Sequence, residues 1–442
     1  MQRNSTRPRL LVTGDGKNVV AHAGCRLLCD LADELGLTAG LSAAMAPTKC
    51  RRRGHDRGRV LVDLAVMLAD GGETISDLAV LRDQPALFGE VASLPTAWRT
   101  LDAIDDDALA RIASARAEAR KRAWAAGADP GFYVIDLDGT LVTAHSEKEQ
   151  AAPTFKRTFG FHPLVAYLDA TSEALAAKLR PGNAGSGTAT DHVEVLDAAL
   201  FQLPVDPHEQ PVIARADSAG LSHDFVEACR ERGVRFAIGH QLNEAMRTAV
   251  FSVPKRRWRA AITADGTDER DHAAVAEITD LVDLSGWPDG MRAIVRRELA
   301  HPGAQLTFTD IDGHRFQVFV TDLDDPDIAY LEALYRGRGR CEKRICDAKD
   351  TGLANLPSAS FTINQAWVAL VLVAQDLLAW TKLLCLDGEL AKAEPKRLRY
   401  TLLHAAALIV HTGRRARLRI AHGWPWADQL VAAFTRVHAL AT

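Results

Sequence analysis

The chain has 442 residues, a formal net charge of -4 and 47% hydrophobic residues. This is the composition of an ordinary soluble globular protein, and the length is enough for two to four domains with cores of their own. The small negative charge argues against a uniformly basic surface of the kind that many nucleic-acid-binding proteins have. A local cluster of cations can still bind phosphates.

No stretch of the sequence predicts export or a membrane span. The N-terminal residues carry charges but no apolar signal region. The most apolar stretch, 367–386, is interrupted by Gln375, Asp376 and Lys382, which favours a buried core helix over a helix that faces lipid. We therefore expect a cytoplasmic protein.

The seven cysteines include no Cys-x-x-Cys pair, which indicates reduced thiols rather than a disulfide framework. Cys25 and Cys29 lie one helical turn apart, where two thiols can bind a metal or pack in a core. Core packing is favoured because no second Cys/His pair follows at ligand spacing.

Residues 1–125 are predicted to form a helical N-terminal region that binds DNA. The segment 57–69 has helical periodicity, the glycine pair 71–72 ends it, and Thr74 or Ser76 can cap a second helix through Leu81. Two helices joined in this way form either a DNA-binding module or a plain helical hairpin. Basic residues beside helix starts favour phosphate binding over a solvated loop, and this region carries Lys49, Arg51, Arg52, Arg53, Arg57 and Arg59.

From residue 128 the pattern changes to alternating strands and helices. The predicted strands are 132–137, 162–169, 173–179, 212–216 and 234–239, with helices at about 190–203 and 224–232. This order predicts a mixed α/β sheet of the kind found in a ribonuclease-H-like catalytic core. We assign its first part to 128–251 and its second part to 321–390.

Residues 252–320, between the two parts of this core, are predicted to be a β-rich insertion. Its candidate strands are 258–263, 291–298, 306–309 and 314–320. The run Lys255, Arg256, Arg257 and Trp258 interleaves cations with a ring, which suits DNA ends, although a surface strand with a half-buried Trp is the simpler account. Residues 391–442 are predicted to be a basic, helical C-terminal region.

The stretch 335–349 predicts a helix with a reactive face. Tyr335, Arg338, Glu342 and Lys349 are separated by three, four and seven residues, so all four lie along one stripe of a helix. A solvated ladder of ion pairs is the alternative. Two acidic residues far upstream, at the ends of strand-like runs, favour a reactive site.

These two acids are Asp138, in the sequence FYVIDLDGT, and Asp217, in PVIARADSAG. Carboxylates at sheet edges and one on a helix can converge around magnesium or manganese, which prefer oxygen ligands and leave positions open for water and phosphate. The first acid is ambiguous, since Asp136 and Asp138 alternate along a strand and share a face. We favour Asp138, at the end of the strand, and keep Asp136 as the alternative first ligand.

The spacing of the four helical residues resembles the Tyr-Arg-Glu-Lys signature of bacterial insertion-sequence DDE transposases of group 1, insertion-sequence 1380 type. The segments FHPLVAYLDATSEALAAKLRPGNAGSG, RADSAG, RICDAKDTGLANLP and RIAHGWPWADQL also resemble that family. The resemblance covers most of residues 130–430, whereas residues 1–125 match only in length and texture.

The resemblance implies that Asp138, Asp217 and Glu342 bind two Mg²⁺ or Mn²⁺ ions and catalyse DNA cleavage and strand transfer in cut-and-paste transposition. Tyr335, Arg338 and Lys349 would then hold the DNA backbone. The implied partners are the double-stranded inverted-repeat ends of the transposon and target DNA, bound by a homodimer in the cytoplasm, at the nucleoid. A Trp of the insertion would stack on a displaced base, and the candidates are Trp258 and Trp287.

The sequence allows two alternative functions. The sequence DLDGT at 136–140 also resembles the nucleophile motif of haloacid-dehalogenase-type phosphatases, with TDLDDPD at 321–327 as a distal metal motif. That function would leave the helix at 335–349 and the basic insertion unexplained. A transposase-derived DNA-binding protein with a dead site is the second alternative, and the presence of all three acids speaks against it.

Overall fold

The computed structural model describes residues 10–49, 54–144, 147–299, 313–413 and 415–440. The candidate DNA contacts Arg51, Arg52 and Arg53 and the predicted strand at 306–309 lie outside the described residues.

The α-helices of the described residues follow the predicted pattern closely in the first 125 residues. In chain order the α-helices are α1 (Cys25–Glu34), α2 (Leu37–Met45), α3 (Arg57–Ala69), α4 (Ala79–Arg82), α5 (Pro85–Phe88), α6 (Leu94–Asp102), α7 (Asp106–Ala123), α8 (Ala189–Gln202), α9 (His223–Glu231), α10 (Glu244–Ser252), α11 (Ile328–Arg336), α12 (Arg340–Ala348), α13 (Phe361–Trp380), α14 (Gly388–Ala391), α15 (Pro395–Leu398) and α16 (Ala427–Ala439).

The strands form one large sheet and two small ones. In chain order the strands are β1 (Val19–Val20), β2 (Tyr133–Gly139), β3 (Val142–Thr143), β4 (Ala152–Pro153), β5 (Phe159–Phe161), β6 (Leu164–Leu168), β7 (Ala174–Lys178), β8 (Val212–Ala216), β9 (Arg235–His240), β10 (Arg259–Ile262), β11 (Glu269–Glu277), β12 (Arg292–Leu299), β13 (His314–Thr321), β14 (Ala407–Thr412) and β15 (Arg415–Ile420).

The large sheet is mixed, as predicted. Its nine strands run in the order β10-β11-β12-β13-β9-β8-β2-β6-β7. Strands β2, β8 and β9 are parallel to one another, whereas β6 is antiparallel to both β2 and β7. If the five strands of the predicted core are counted along the chain, their spatial order is 3-2-1-4-5. This places the first and fourth of them, β2 and β8, side by side.

The β-rich segment continues the same sheet. Strand β13 pairs with β9 and carries β12, β11 and β10 outward in an antiparallel meander. Strand β11 (Glu269–Glu277) was missed in the sequence because its first half, ERDH, is polar and mostly exposed, so no apolar alternation marks it.

The N-terminal helices pack onto the core of the large sheet. Helix α3 is buried over most of its surface and lies against α2 and α13. It begins with Asp56 accepting a hydrogen bond from the backbone N–H of Arg59 at 2.8 Å, and it ends where Gly71 adopts a φ of 103°. A helix buried in this way supports the hydrophobic core rather than presenting a face to DNA.

A buried ion cluster ties α7 to β7 and α13. Arg116 and Arg120 each contact one oxygen of Asp376, at 2.8 and 2.7 Å, and Arg120 also contacts Glu173 at 2.9 Å. The N–H groups of Trp124 and Trp380 donate to the same Glu173 carboxylate. Since every charge in this cluster has a partner, the desolvation cost of burying it is offset.

The long apolar helix predicted near the C-terminus is a core helix. The segment Phe361–Cys385 is long and apolar enough to cross a membrane, with a mean hydropathy of 1.7, and 78% of that window is buried inside the protein. Asp376, which interrupts it, belongs to the ion cluster with Arg116 and Arg120. Packing against protein therefore accounts for its apolar surface.

The C-terminal region differs from the helical prediction. Strands β14 and β15 form a hairpin that pairs with β1 near the N-terminus, so the two ends of the chain share a small sheet. Only α16 and the short helices α14 and α15 are α-helical here. Alternating residues in 415–420 (RARLRI) carry this strand signal.

Candidate active site

Asp138 and Asp217 lie side by side at one edge of the large sheet. Strand β2 pairs in parallel with β8, with Asp136 opposite Arg215. Extended by two residues, this register sets Asp138 opposite Asp217, which lies one residue beyond the end of β8. The sequence separates these acids by 79 residues, and the parallel pairing brings them together.

The guanidinium of Arg338 lies between these two aspartates. Its Nη2 is 3.0 Å from Asp138 Oδ1 and 3.9 Å from Asp217 Oδ2. The Arg338 side chain is only 15% exposed, and its Nε has no hydrogen-bond partner within the part of the chain that the structure describes. A buried cation is thus attracted to the gap between two carboxylates, as a metal ion would be.

The pKa of Asp138 is raised to about 6. Burial is the main cause, the charge of Arg338 opposes it, and the negative charges of Asp217 and Glu342 raise it further. Three carboxylates from distant parts of the chain therefore interact electrostatically at one point. Such an elevated pKa marks a site where negative charge is concentrated without full compensation.

Glu342 approaches this point from α12. The buried side of the helix, Cys341 and Ile345, packs on Val165 and Tyr167 of β6, the neighbour of β2 in the sheet. Glu342 is exposed and makes no hydrogen bond or ion pair with any described residue. Its carboxylate is free to bind a ligand.

The predicted single helix is interrupted at the residues that carry the signature. Helix α11 ends at Arg336, a 3-10 turn covers Gly337–Gly339, α12 begins at Arg340, and a π-helical turn starts at Lys349. The glycines on both sides of Arg338 weaken regular α-helix at this point. The prediction of one unbroken helix is therefore wrong, although the helical path continues from 328 to 353.

Tyr335 lies near Asp217, and Lys349 lies near a second lysine. The Tyr335 ring stacks on Phe319 with 4.6 Å between centroids, and its hydroxyl lies where a Cβ on Gly239 would be, beside the backbone of Asp217. Burial lowers the pKa of Lys349, and the nearby charge of Lys156 lowers it further. Two neighbouring lysines, neither with an ion-pair partner among the described residues, favour an anionic ligand.

Asp136 lies in a different environment from Asp138. It is fully buried, and its two oxygens accept hydrogen bonds from Arg215 Nε and Nη2 at 2.7 and 2.8 Å. Arg344 Nη1 lies 3.4 Å from the same carboxylate. Because both oxygens are already bound in a bidentate pair, Asp136 is poorly placed to serve as a metal ligand or a nucleophile.

Two groups beside the acids were assigned no role from the sequence. A Cβ on Gly139, next to Asp138, would lie 2.9 Å from His162 Nε2 and 3.7 Å from Arg180 Nη2. Nδ1 of His162 contacts the backbone oxygen of Ala184 at 3.1 Å, so in the neutral ring Nδ1 donates and Nε2 is an acceptor. Burial lowers the pKa of His162, which favours that neutral form. In the sequence, the signals for the region around Gly139 were the predicted strand that contains His162 and the glycine-rich loop that follows Arg180.

The basic run of the β-rich segment is partly neutralised. Arg257 forms a bidentate pair with Asp280 at 2.7 Å, whereas Lys255 and Arg256 are exposed. The guanidinium carbon of Arg297 lies 4.2 Å from the centre of the Trp258 ring. Trp258 is therefore already stacked on a cation.

Trp287 contacts the first residue of α9, the helix that follows Asp217 in the chain. Its ring stacks on His223, with 3.9 Å between centroids, and His223 begins α9 six residues after Asp217. Like Trp258, Trp287 is partly exposed. Both candidate rings thus have a stacking partner in the protein, and only Trp287 adjoins the loop that follows Asp217.

The donor set of the three acids suits a hard divalent cation. It consists of carboxylate oxygens only, which Mg²⁺ and Mn²⁺ prefer. The cation Arg338 bridges two of the acids, and the third has no partner among the described residues. The acids are less tightly clustered than His22, Asp70 and His404, the one group of three His, Cys, Asp or Glu in the described residues whose ligand atoms all lie within 4.8 Å of one another.

The mixed α/β sheet carries Asp138 and Asp217 at the ends of neighbouring parallel strands, with Arg338 between them. A family model described as "Transposase DDE domain group 1" matches residues 2–442 of this chain. The chain belongs to that family, and it is a DDE transposase by family. This agrees with the resemblance in the sequence at the level of the family.

The other comparisons are less informative. No curated protein matches the chain. Among solved structures, the chain is similar to the one titled "Cryo-EM structure of piggyBac transposase synaptic complex with hairpin DNA", at 7% sequence identity and a TM-score of 0.40. The similarity covers 89% of this chain and 82% of that chain.

Proposed function

We propose that this protein is a metal-dependent transposase of insertion-sequence 1380 type, which binds the inverted-repeat ends of its element and catalyses their cleavage and strand transfer. The observation that supports the proposal is that Asp138 lies beside Arg338, which also approaches Asp217, and that the charges of Asp217 and Glu342 both raise the pKa of Asp138. Family membership makes transposition the appropriate reaction.

The strand order supports a ribonuclease-H-like core. The order 3-2-1-4-5, with the second strand antiparallel to its neighbours, places the first and fourth strands together, and these carry Asp138 and Asp217. We therefore keep 128–251 and 321–390 as the bounds of the two parts of the ribonuclease-H-like core.

Asp138, Asp217 and Glu342 would hold two Mg²⁺ or Mn²⁺ ions, the number that serves both the attacking and the leaving oxygen of a phosphodiester. When bound, such ions activate the attacking oxygen and stabilise the leaving one. Asp138 interacts electrostatically with both other acids, so its carboxylate would take part in holding the ions. Arg338 would then release the carboxylates and turn its spare donors toward a phosphate.

The chain's own cations provide the remaining contacts to the DNA backbone near the acids. Lys349 and Lys156 lie close enough for their charges to interact, and a phosphate between them would relieve that repulsion. The hydroxyl of Tyr335, beside the backbone of Asp217, can donate to a neighbouring phosphate oxygen. We assign the stacking of a displaced base to Trp287 rather than Trp258.

A second group of cations lies on the C-terminal hairpin. Arg415, Arg417 and Arg419 alternate along β15, so their side chains lie on one face of the strand, and all three are exposed. None forms an ion pair with a described residue. Unpaired arginines at regular spacing are suited to the phosphates of duplex DNA. We therefore add this arginine row to Lys255 and Arg256 as a DNA-binding surface.

Two copies of the chain would bring two transposon ends together in the cytoplasm, at the nucleoid. The phosphatase alternative is weakened by the environment of Asp136, whose carboxylate would have to leave a buried pair with Arg215 before it could act as a nucleophile. The dead-site alternative is weakened because the sequence contains all three acids.

The proposal is tested with duplexes that carry the ends of the DNA element encoding the chain. We expect Asp217→Asn and Glu342→Gln to lose Mg²⁺-dependent cleavage by at least about a thousandfold while end binding is kept, because transition-state charge is no longer stabilised. The matched control is Glu394→Gln, an exposed carboxylate that pairs with Lys343. Cleavage retained in Glu342→Gln would contradict the proposal.

A further inference from the structure

A polar cluster joins the N-terminal helices to the C-terminal region. His22 Nδ1 lies 2.8 Å from Asp70 Oδ2, and His404 Nε2 lies 3.0 Å from Asp70 Oδ1. The two imidazole rings are 4.4 Å apart between centroids. Three side chains from positions 22, 70 and 404 thus point their polar atoms at a single place that is remote in sequence from the three acids of the active site.

The backbone holds these three positions independently of the cluster. The N–H of Ala23 donates to the oxygen of Ala405 at 2.9 Å, and that of Gly24 donates to the oxygen of Leu403 at 3.1 Å. A Cβ on Gly24 would lie 2.1 Å from the Leu402 oxygen, so glycine is required for this close approach. The segments of His22 and His404 are therefore preset as neighbours.

Neighbouring groups of the protein also fix the position of Asp70. It caps the end of α3, and the Cys25 thiol, fully buried, donates to its Oδ1 at 3.0 Å. The nearby guanidinium of Arg399 donates to the backbone oxygens of Ala69 and Asp350. The carboxylate is thus oriented by the protein and faces two imidazoles.

We propose that His22, Asp70 and His404 form a zinc site, with water as the fourth ligand and the Cys25 thiol as the donor that positions Asp70. Two imidazoles and one carboxylate with an open position are a common protein ligand set for zinc, and a ligating carboxylate is usually held by a further hydrogen bond. Imidazole selects zinc over magnesium. The site would clamp the two ends of the chain together.

The ligand atoms of the three side chains are close enough to bind one ion after side-chain adjustment. With bonds of about 2.0–2.1 Å, neighbouring ligand atoms around tetrahedral zinc stand roughly 3.3 Å apart. In the structure one ligand atom from each residue lies within 4.8 Å of the others, and the two imidazoles contact different oxygens of Asp70. The side chains of His22 and His404 are 26% and 41% exposed, so solvent and metal can reach the cluster.

The test uses the full-length protein, stripped with a chelator and then supplied with zinc alone. We expect about one zinc ion per chain after gel filtration, and a rise in Tm of several degrees on zinc addition, because an ion that binds only the folded state stabilises it. His404→Ala should lose both effects, and His404→Cys, which keeps a zinc ligand, should retain the ion. The matched control His422→Ala replaces an exposed histidine outside the cluster and should behave as the wild type.

The outcomes separate this site from the active site. Asp138→Asn should keep the zinc ion, whatever its effect on DNA cleavage, so failure of the transposase proposal would leave this one standing. If the stripped wild type binds no zinc, the cluster is a hydrogen-bonded network only and the proposal is overturned. Zinc bound equally by His404→Ala would also overturn it.

Discussion

At the scale of single residues, Asp136 and Asp138 show how two acids on one strand acquire different tasks. Burial raises the pKa of both carboxyls, for Asp138 to about 6. Asp136 is fully buried in a bidentate pair with Arg215, whereas Asp138 shares Arg338 with another acid. The first arrangement stabilises the fold. The second concentrates negative charge that a bound cation would relieve.

The two acids should respond in opposite ways to removal of their charge. The pKa of Asp138 is about 6 in the folded state against an ordinary value of 3.8, so its contribution to stability is fully present below pH 3.8 and is lost as the pH rises to 6. At pH 7 without metal, Asp138→Asn should therefore raise the free energy of unfolding, by up to about 3 kcal/mol. The measurement is urea unfolding in the presence of a chelator.

Asp136→Asn is the matched comparison. It removes one of the two carboxylate partners of the buried Arg215, which keeps Asp169 at 2.9 Å. We expect a loss of about 1–3 kcal/mol in the same experiment, because the Nε donor of Arg215 is left without an acceptor. An Asp138→Asn protein that is less stable than the wild type at pH 7 without metal would contradict the account of Asp138. An unchanged Asp136→Asn protein would contradict the account of Asp136.

The sequence identified these residues unevenly. Asp138, Asp217 and Glu342 were predicted from strand ends and helical spacing. Arg338 contacts Asp138 and lies near Asp217, and the charge of Glu342 raises the pKa of Asp138; their catalytic role stays a prediction. The burial of Asp136 with Arg215 could not be predicted, because it depends on the parallel register of β2 with β8. The positions of His162 and Arg180 also depend on packing around Gly139, for which no sequence pattern exists.

At the scale of elements, the helical segment that carries Glu342 is shaped by its two glycines. Gly337 is closely surrounded, since a Cβ there would lie 2.6 Å from Arg215 Nη1, whereas no atom lies within 4 Å of a Cβ on Gly339. Both residues adjoin Arg338, and neither has a positive φ.

The two glycines therefore give a paired prediction. Gly339→Ala should stabilise the protein by about 0.5–1 kcal/mol, because alanine favours helical backbone and meets no obstacle. Gly337→Ala should destabilise it, since the added methyl displaces Arg215 from its pair with Asp136. Thermal unfolding of both variants checks this, and equal effects of the two changes would contradict it.

We expect the arginine row of β15 to contribute to the salt dependence of DNA binding. Replacing Arg415, Arg417 and Arg419 together by alanine should weaken end binding and lower the slope of log K against log salt by roughly 3, because about three phosphate contacts are lost. Cleavage at saturating protein should persist, since the row lies outside the acids.

The control for this prediction removes three arginines that already have acidic partners, Arg82, Arg232 and Arg436. That triple variant should change the salt slope far less, because its guanidinium groups are neutralised within the protein. A wild-type slope in the β15 variant would show that the row does not bind DNA.

Local signals predicted some elements well and failed for others. Helix α3 and strand β8 have their predicted bounds, because a capping Asp, a glycine pair and a short apolar run mark them. The break between α11 and α12 was missed because the stripe of four residues suggested a continuous helix. The hairpin of β14 and β15 was missed because its arginines were interpreted only as charge.

At the scale of the whole molecule, long-range pairing determines the site. One sheet of nine strands includes both the predicted core and the β-rich segment, and the N-terminal helices are fixed to it by the ion cluster of Arg116, Arg120, Glu173 and Asp376. The mixed α/β class was predictable from the order of elements along the chain. The joining of the two chain ends through β1 and β14 was not, because two residues of strand carry too little pattern.

The most direct test of the central claim is a change of metal specificity at the acids. In Glu342→Cys, cleavage of the element's ends should be lost with Mg²⁺ and recovered with Mn²⁺, because a thiolate is a poor ligand for magnesium and a better one for manganese. Glu342→Ala, which supplies no ligand, should be inactive with both ions. Equal cleavage by Glu342→Cys in Mg²⁺ and Mn²⁺, or activity of Glu342→Ala, would show that Glu342 does not meet Asp138 and Asp217 around a metal ion.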